Sequence, residues 1–263
     1  MKIAFIGGGA MGEAMIKCLL IKKVTVPQDM IVSDISPMRR ELLKKEYGVN
    51  TLDDNSKTVE NTDLIILAVK PQNLSQVMEN IKGLVPEQLI LSIVAGATLS
   101  TLCHGTKHAS IVRAMPNMPA QIGEGMSIWT ATVDTKQMHK KLAQTILGTL
   151  GKEIYVADEK YLNMATALSA SGPAYVFLFI EALIDAGVHI GLPRDLSQEL
   201  AIQTILGSTR TVVKTGKHPA DLRNMVTSPG GTTTEALLQL EKGKFRFLII
   251  ESVDAAYKKA ERL

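Results

Sequence analysis

Lys2-Ile3-Ala4-Phe5-Ile6-Gly7-Gly8-Gly9-Ala10-Met11-Gly12, residues 2–12, decides how the rest of the chain is read. Residues 2–6 form a short apolar run that predicts a buried strand. The glycines follow at once, and the apolar spacing after them predicts a helix to about Leu20. Gly7 to Gly12 fits G-x-G-x-x-G, and between a strand and a helix each position has a physical use. Gly7 takes the tight turn, Gly9 lets the main chain approach a pyrophosphate, and Gly12 lets helix pack close on strand. The helix N-terminus, with Ala10 and Met11, supplies free N–H donors and a partial positive charge. The expectation is a bound dinucleotide; the plain alternative is a tight turn with no ligand.

Working outward, apolar runs at 30–33, 64–69, 89–94 and 110–114 alternate with helix-like segments. Runs at 126–130 and 153–156 flank an amphipathic stretch over 135–150. Runs without strict alternation suit a parallel sheet covered on both faces. After about Asp158 the strand signal stops. Helical patterns follow over 161–190, interrupted at Ser171-Gly172-Pro173, then over 195–214, 220–226, 234–240 and 245–262. The predicted fold is an α/β N-terminal Rossmann domain, doubly wound and mostly parallel, over 1–157, and an all-α C-terminal domain over 158–263. The helices of the second are rich in Ala, Leu and Ile and would pack on one another or on a second subunit.

Asp34 ends the second strand at the interval where a carboxylate can accept hydrogen bonds from an adenosine ribose, which favours NADH. Ser36, Arg39 and Arg40 follow and could instead hold the 2′-phosphate of NADPH. A carboxylate about 4 Å from that phosphate would cost on the order of 4 kcal/mol at an effective dielectric near 20 unless an arginine neutralised it. Either nucleotide is therefore expected, with Asp34 weakening the preference for NADPH. Ala68-Val69-Lys70-Pro71 closes the run at 64–69 on the carboxyl edge of the sheet, where Lys70 would touch the cofactor or be solvated. Asn55 is a further candidate contact. Ala95, in Val94-Ala95-Gly96-Ala97, is small enough to lie beside a flat ring or simply to turn the chain into a helix.

At 263 residues the chain can bury its core without disulfides, and Cys18 and Cys103 lack metal-ligand spacing. No metal is expected. A net charge of +3, from 29 basic and 26 acidic residues interspersed, is too diffuse for a nucleic-acid surface. The opening residues lack signal-peptide grammar, and no apolar run nears the roughly twenty residues of a membrane span. The expected setting is the cytoplasm, with neither membrane nor nucleic acid as partner.

Blocks spread over the chain in one order resemble the pyrroline-5-carboxylate reductase family: residues 7–12, Ala68-Val69-Lys70-Pro71, Arg113-Ala114-Met115-Pro116-Asn117, Ser169-Ala170-Ser171-Gly172-Pro173-Ala174-Tyr175, Gly191-Leu192-Pro193-Arg194 and Ser228-Pro229-Gly230-Gly231-Thr232-Thr233-Thr234. The resemblance implies reduction of a small cyclic imine to L-proline by NADPH or NADH. It also implies a homodimer, able to extend to a larger ring, with the active site formed between paired subunits. By the same resemblance Ser228, Gly230, Gly231, Thr232 and Thr233 would bind the substrate carboxylate on main-chain amides. Thr233 would also bond near the ring nitrogen, and Ser171 is a second candidate for relaying a proton. Elementary physics agrees, because a Gly-Gly turn before a helix presents unpaired N–H groups, although the turn could merely cap that helix. The sequence departs from the family's usual Ser-Gly-Ser-Gly-Pro at Ala170, and Asp34 stands where NADPH-preferring members often carry a neutral residue.

Two other functions share this plan. A 3-hydroxyacid dehydrogenase of the same plan needs a Lys or His to handle the oxygen's proton. No lysine lies between Tyr161 and Val213, and His189 on its apolar helix more often packs than reacts. A non-catalytic nucleotide sensor has no use for a second amide turn.

Overall fold

The protein is described here by a computed structural model covering residues 1–81 and 83–262. The chain divides into two compact units, Met1–Ser171 together with Ala256–Leu263, and Gly172–Ala255. Leu263, which closes the expected second domain, lies outside the described residues.

In the first unit, strands β1 (Ile3–Ile6), β2 (Met30–Ser33), β3 (Asn50–Leu52), β4 (Leu64–Leu67), β5 (Leu89–Ser92), β6 (Ile111–Met115), β7 (Gly125–Ala131) and β8 (Gly151–Tyr155) form one sheet of order β3-β2-β1-β4-β5-β6-β7-β8. Pairing is parallel through β6; β7 runs antiparallel to β6, and β8 parallel to β7. The interleaved helices are α1 (Ala10–Ile21), α2 (Pro37–Tyr47), α3 (Asn55–Val59), α4 (Leu74–Asn80), α5 (Leu99–Thr106), α6 (Gln137–Gly148) and α7 (Lys160–Ala165).

The sheet buries both faces, which is why β1 reads Ile-Ala-Phe-Ile instead of alternating. Ile3 and Phe5 join one core cluster with Met15, Leu19 and Val32. Ala4 and Ile6 join another with Ile65, Leu67, Ile90 and Leu102. The doubly wound architecture read from the sequence is present, with strands somewhat shorter than the apolar runs: Val69 and Val94 lie beyond the ends of β4 and β5. The sequence reading missed β3 altogether. Its three residues, Asn-Thr-Leu, are exposed or half-buried and lie at the edge of the sheet, so no apolar run marks them.

After α7 the helix widens into a π-turn over Thr166–Ala170, where the Ser171 N–H donates to the Thr166 carbonyl at 2.9 Å. The local cause is Pro173. It has no N–H, and its ring crowds the carbonyl four residues earlier, that of Ser169. Asn117 supplies the missing donor: its Nδ2 lies 3.3 Å from both the Ser169 carbonyl and Oγ, while its Oδ1 accepts from the Met126 N–H at 2.8 Å.

The second unit contains α8 (Gly172–His189), α9 (Arg194–Thr215), α10 (Pro219–Met225), α11 (Thr232–Lys242) and most of α12 (Phe245–Ala260). The sequence was expected to hold no run of membrane length, and this is corrected. Lys160–His189 is one helical stretch of 30 residues with a mean hydropathy of 1.6 in its most apolar window, enough by length and composition to cross a bilayer. Gly172 and Pro173 looked like a break, but the π-turn over Thr166–Ala170 accommodates the proline and the helix runs on. No residue of α8 is buried; Leu178 is 67% exposed, and Ile250 on α12 is 65% exposed. Apolar surface on that scale is a docking face in search of a partner.

Candidate functional site

Beyond the carboxyl ends of β1, β2 and β4 lies a cavity of about 850 Å3. The strand order reverses at β1, between β2 and β4, the position where open α/β sheets bind nucleotides. Gly7, Gly9, Asp34, Asn55, Ala68, Val69 and Lys70 line it, together with Ser33, Ile35 and Asp53. Asn55 belongs to this wall because β3 and α3 bring it there. The Asp54 carboxylate caps α3 by accepting the Lys57 N–H at 3.1 Å, and Ser33 Oγ donates to Asn55 Oδ1 at 2.6 Å.

The glycine turn has the shape a diphosphate needs. Gly7 has φ +100°, and a Cβ there would lie 2.6 Å from the Ala68 carbonyl oxygen; one at Gly12 would lie 2.5 Å from that of Gly7. A Cβ at Gly9 would meet nothing within 4 Å, so the main chain there faces open space. Gly9 is also the N-cap of α1 and carries no capping side chain, which leaves the first amides of the helix free for an anion. The residues present fit a dinucleotide.

Other predicted contacts lie around this wall. Ala10 and Met11 form the first turn of α1, and Met11 packs its side chain on the core. Ser36 caps α2, accepting the Arg39 N–H at 3.4 Å. Pro71 opens a 3-10 turn after Lys70. Ala95, in the turn after β5, does not line the cavity.

Asp34 is held by the main chain. One carboxylate oxygen accepts the Gly8 N–H and the other the Ser36 N–H, each at 2.9 Å. Sequence reasoning missed where the two arginines go. Arg39 donates through Nε to the Gly8 carbonyl and through Nη2 to Glu13, whose other oxygen accepts the Tyr47 hydroxyl at 2.8 Å. Arg40 donates to the Asp34 carbonyl at 2.7 Å and pairs with Asp53 at 3.7 Å. Burial raises the Glu13 carboxyl, but the bonds from Arg39 and Tyr47 outweigh it and hold the group below its usual range. Burial and the Glu13 carboxylate push the Tyr47 phenol up to about 12. Glu13 lies three residues beyond the start of α1, within the interval a G-x-G-x-x-G reading skips.

A buried cation stands elsewhere in the first unit. Arg113 on β6, its side chain 5% exposed, pairs with Glu159 at 2.6 Å and donates to Asn163 at 3.0 Å; Glu159 also accepts the Leu99 N–H at the start of α5.

In the second unit Ser228, Gly230, Gly231, Thr232 and Thr233 fall on one turn. Gly230 has φ +68°, the Gly231 N–H closes the turn on the Ser228 carbonyl at 3.0 Å, and Thr234 Oγ1 donates to the same carbonyl at 2.7 Å. Helix α11 starts at Thr232, slightly earlier than the spacing suggested, and its N-cap Gly231 has no capping side chain. The first amides of α11 therefore lack a capping side chain, as at Gly9, while the Thr234 N–H donates to the Gly231 carbonyl at 3.0 Å. Ser171 follows the π-turn at the end of the first unit, and His189 ends α8 exposed.

Comparison with known proteins decides what this assembly is. The chain is 41% identical over 264 residues to the pyrroline-5-carboxylate reductase of Synechocystis, covering 100% of this chain and 98% of the relative. This chain belongs to the pyrroline-5-carboxylate reductase family. Residues 159–263 match the family described as pyrroline-5-carboxylate reductase dimerisation, and residues 2–96 match NADP oxidoreductase coenzyme F420-dependent. The Plasmodium falciparum pyrroline carboxylate reductase, solved with NADP bound, is 34% identical with a TM-score of 0.91 over 100% of this chain and 97% of that one. The pyrroline-5-carboxylate reductase of Coxiella burnetii is 35% identical with a TM-score of 0.89 over 99% and 97%. Helix α8, with its exposed apolar face, lies within the residues that match the dimerisation family.

Proposed function

We propose that this protein reduces L-1-pyrroline-5-carboxylate to L-proline, using NADPH or NADH. The observation that carries the reading is the pair of uncapped, glycine-preceded helix starts, Gly9 before α1 and Gly231 before α11, in a member of this family. One suits a dinucleotide diphosphate and the other a small carboxylate.

In this reading Gly7, Gly9, Ala10, Met11 and Gly12 hold the diphosphate, with Asp34, Ser36 and Asn55 toward the adenosine end and Ala68, Val69, Lys70, Pro71 and Ala95 along the rest. Bound there, the reduced nicotinamide supplies a hydride. Ser228, Gly230, Gly231, Thr232 and Thr233 bind the substrate carboxylate and fix the ring, and orientation of this kind supplies several kcal/mol of the barrier. A cyclic imine arrives protonated on nitrogen, so its carbon is electrophilic without a strong acid from the protein. Thr233 and Ser171 need only offer hydroxyls that hydrogen-bond the nitrogen and relay its proton.

Residues 1–157 serve the nucleotide and 158–263 serve dimerisation and substrate binding. The unit of function is a homodimer in the cytoplasm, and the dimerisation match over residues 159–263 supports the pairing. Reduced-nucleotide oxidation with pyrroline-5-carboxylate, set against 3-hydroxyacids and their keto forms, tests the reading. Imine-dependent turnover is expected, and turnover only with the hydroxyacid or keto acid set would overturn it.

A further inference from the structure

We infer that Glu13 controls the discrimination between the 2′-phosphorylated and the plain nucleotide, by holding Arg39 away from the phosphate. The inference rests on the nucleotide-binding part of the proposed function and extends it to a residue outside the glycine motif.

Three observations converge on the adenosine end of the cavity. Asp34, on the cavity wall, has its carboxylate held by the amides of Gly8 and Ser36, and it takes part in no ion pair among the described residues. A phosphate placed near it meets a carboxylate that no cation pairs with directly among the described residues, although Arg40 bonds the carbonyl of the same residue. The two arginines that follow Asp34 in sequence are both engaged within the chain. Arg40 is on the Asp34 carbonyl and Asp53, and Arg39 is on the Gly8 carbonyl and Glu13.

Arg39 is the nearer in design to a phosphate ligand. It sits over the carbonyl of the same Gly8 whose N–H holds Asp34, and its side chain keeps 25% exposure. Glu13 is what fixes it there, and Tyr47 fixes Glu13: the carboxylate accepts from the guanidinium through one oxygen and from the phenol through the other. Guanidinium pairs a carboxylate and a phosphate with the same fork of donors, so the two compete for Arg39. With Glu13 in place the carboxylate wins before any nucleotide arrives. Glu13 is thus a positioning residue, acting on nucleotide choice through Arg39.

The test measures dissociation constants of NADP+ and NAD+ by calorimetric titration of the full-length protein, for the wild type, Glu13→Ala, Arg39→Met and the double variant. Glu13→Ala should tighten NADP+ relative to NAD+ about tenfold, the effect of one new charge-assisted hydrogen bond. Arg39→Met alone should leave the ratio of the two constants unchanged, and the double variant should return it to the wild-type value. An unmoved or reversed ratio in Glu13→Ala, or a selective loss of NADP+ in Arg39→Met, overturns the inference. Retained NAD+ binding reports that each variant is folded. Should Glu13→Ala fail that check, Glu13→Gln keeps the volume, removes the charge and must move the ratio the same way. Because binding is read without the imine, failure of the reductase reading shows up separately, as absent turnover in a protein that still binds nucleotide.

Discussion

Asp34 accepts the N–H of Gly8 at 2.9 Å, so a carboxylate on the cavity wall also ties the glycine turn to the end of β2. Two roles in one side chain can be separated by substitution. Asp34→Ser should raise the ratio of kcat/KM for NADPH over NADH by about tenfold or more, since a charge near the 2′-phosphate is removed. It should also lower stability by about 1 kcal/mol, because one of the two amides loses its acceptor. Steady-state kinetics with both nucleotides and a thermal melt measure the two effects; an unchanged ratio refutes the electrostatic one.

The glycines of the turn should fail in different ways. Gly12→Ala places a methyl 2.5 Å from the Gly7 carbonyl oxygen and should destabilise the protein by about 1–3 kcal/mol. Gly9→Ala meets nothing in the protein and should melt normally, yet it fills the space a diphosphate must enter and should weaken nucleotide binding about tenfold or more. Melting curves and nucleotide titrations of the two variants should sort them without overlap.

Thr233→Val should lower kcat for the imine by about tenfold or more and leave nucleotide affinity unchanged, because it removes a hydroxyl and keeps the main-chain amide. It is a cleaner probe than proline at Gly230, whose φ of +68° no proline can adopt. Equal loss of imine turnover and nucleotide binding would mean that Thr233 is structural.

His139 is buried 2.8 Å from Ser110 Oγ, and burial holds its imidazole below the usual value. The neutral ring is therefore favoured in the fold. Its contribution is complete above the ordinary histidine value and is lost as pH falls through the depressed one. Between about pH 7 and about pH 5 the wild type should lose stability more steeply than His139→Gln. Denaturant midpoints across that range give the comparison, and parallel curves would contradict it.

Leu178→Glu puts a charge on the exposed apolar face of α8, inside the dimerisation match. Sedimentation should show the assembly breaking toward monomers. A variant that keeps the wild-type mass would place the interface on another face.

What could be read in the sequence follows from where each signal is written. The nucleotide turn is local, fixed by Gly7, Gly9 and Gly12 within one βα step, and the buried strands announce themselves as apolar runs. Strand β3 does not, being three half-exposed residues, and with it the route by which Asn55 reaches the cavity stayed hidden. The Glu13, Arg39 and Tyr47 cluster was equally invisible, since it joins α1 to two positions on α2 and no spacing rule connects them. Gly172-Pro173 misled, because a π-turn just before the pair accommodates the proline and lets the helix continue. The Gly230-Gly231 turn was legible as a turn before a helix, but the hydrogen bonds to Ser228 that accompany the start of α11 at Thr232 are not revealed by composition.

The nucleotide-binding unit takes in Ala256 and the residues after it, and Ala260 there is only 6% exposed. A ribosome delivers the glycine turn first and that closing stretch after residue 255, so the unit begun earliest is also completed late. Between those moments the first compact unit lacks the residues from Ala256 on. Fragments cut near residue 171 should consequently need help from folding factors, or from the missing segment added in trans, that the whole polypeptide does without.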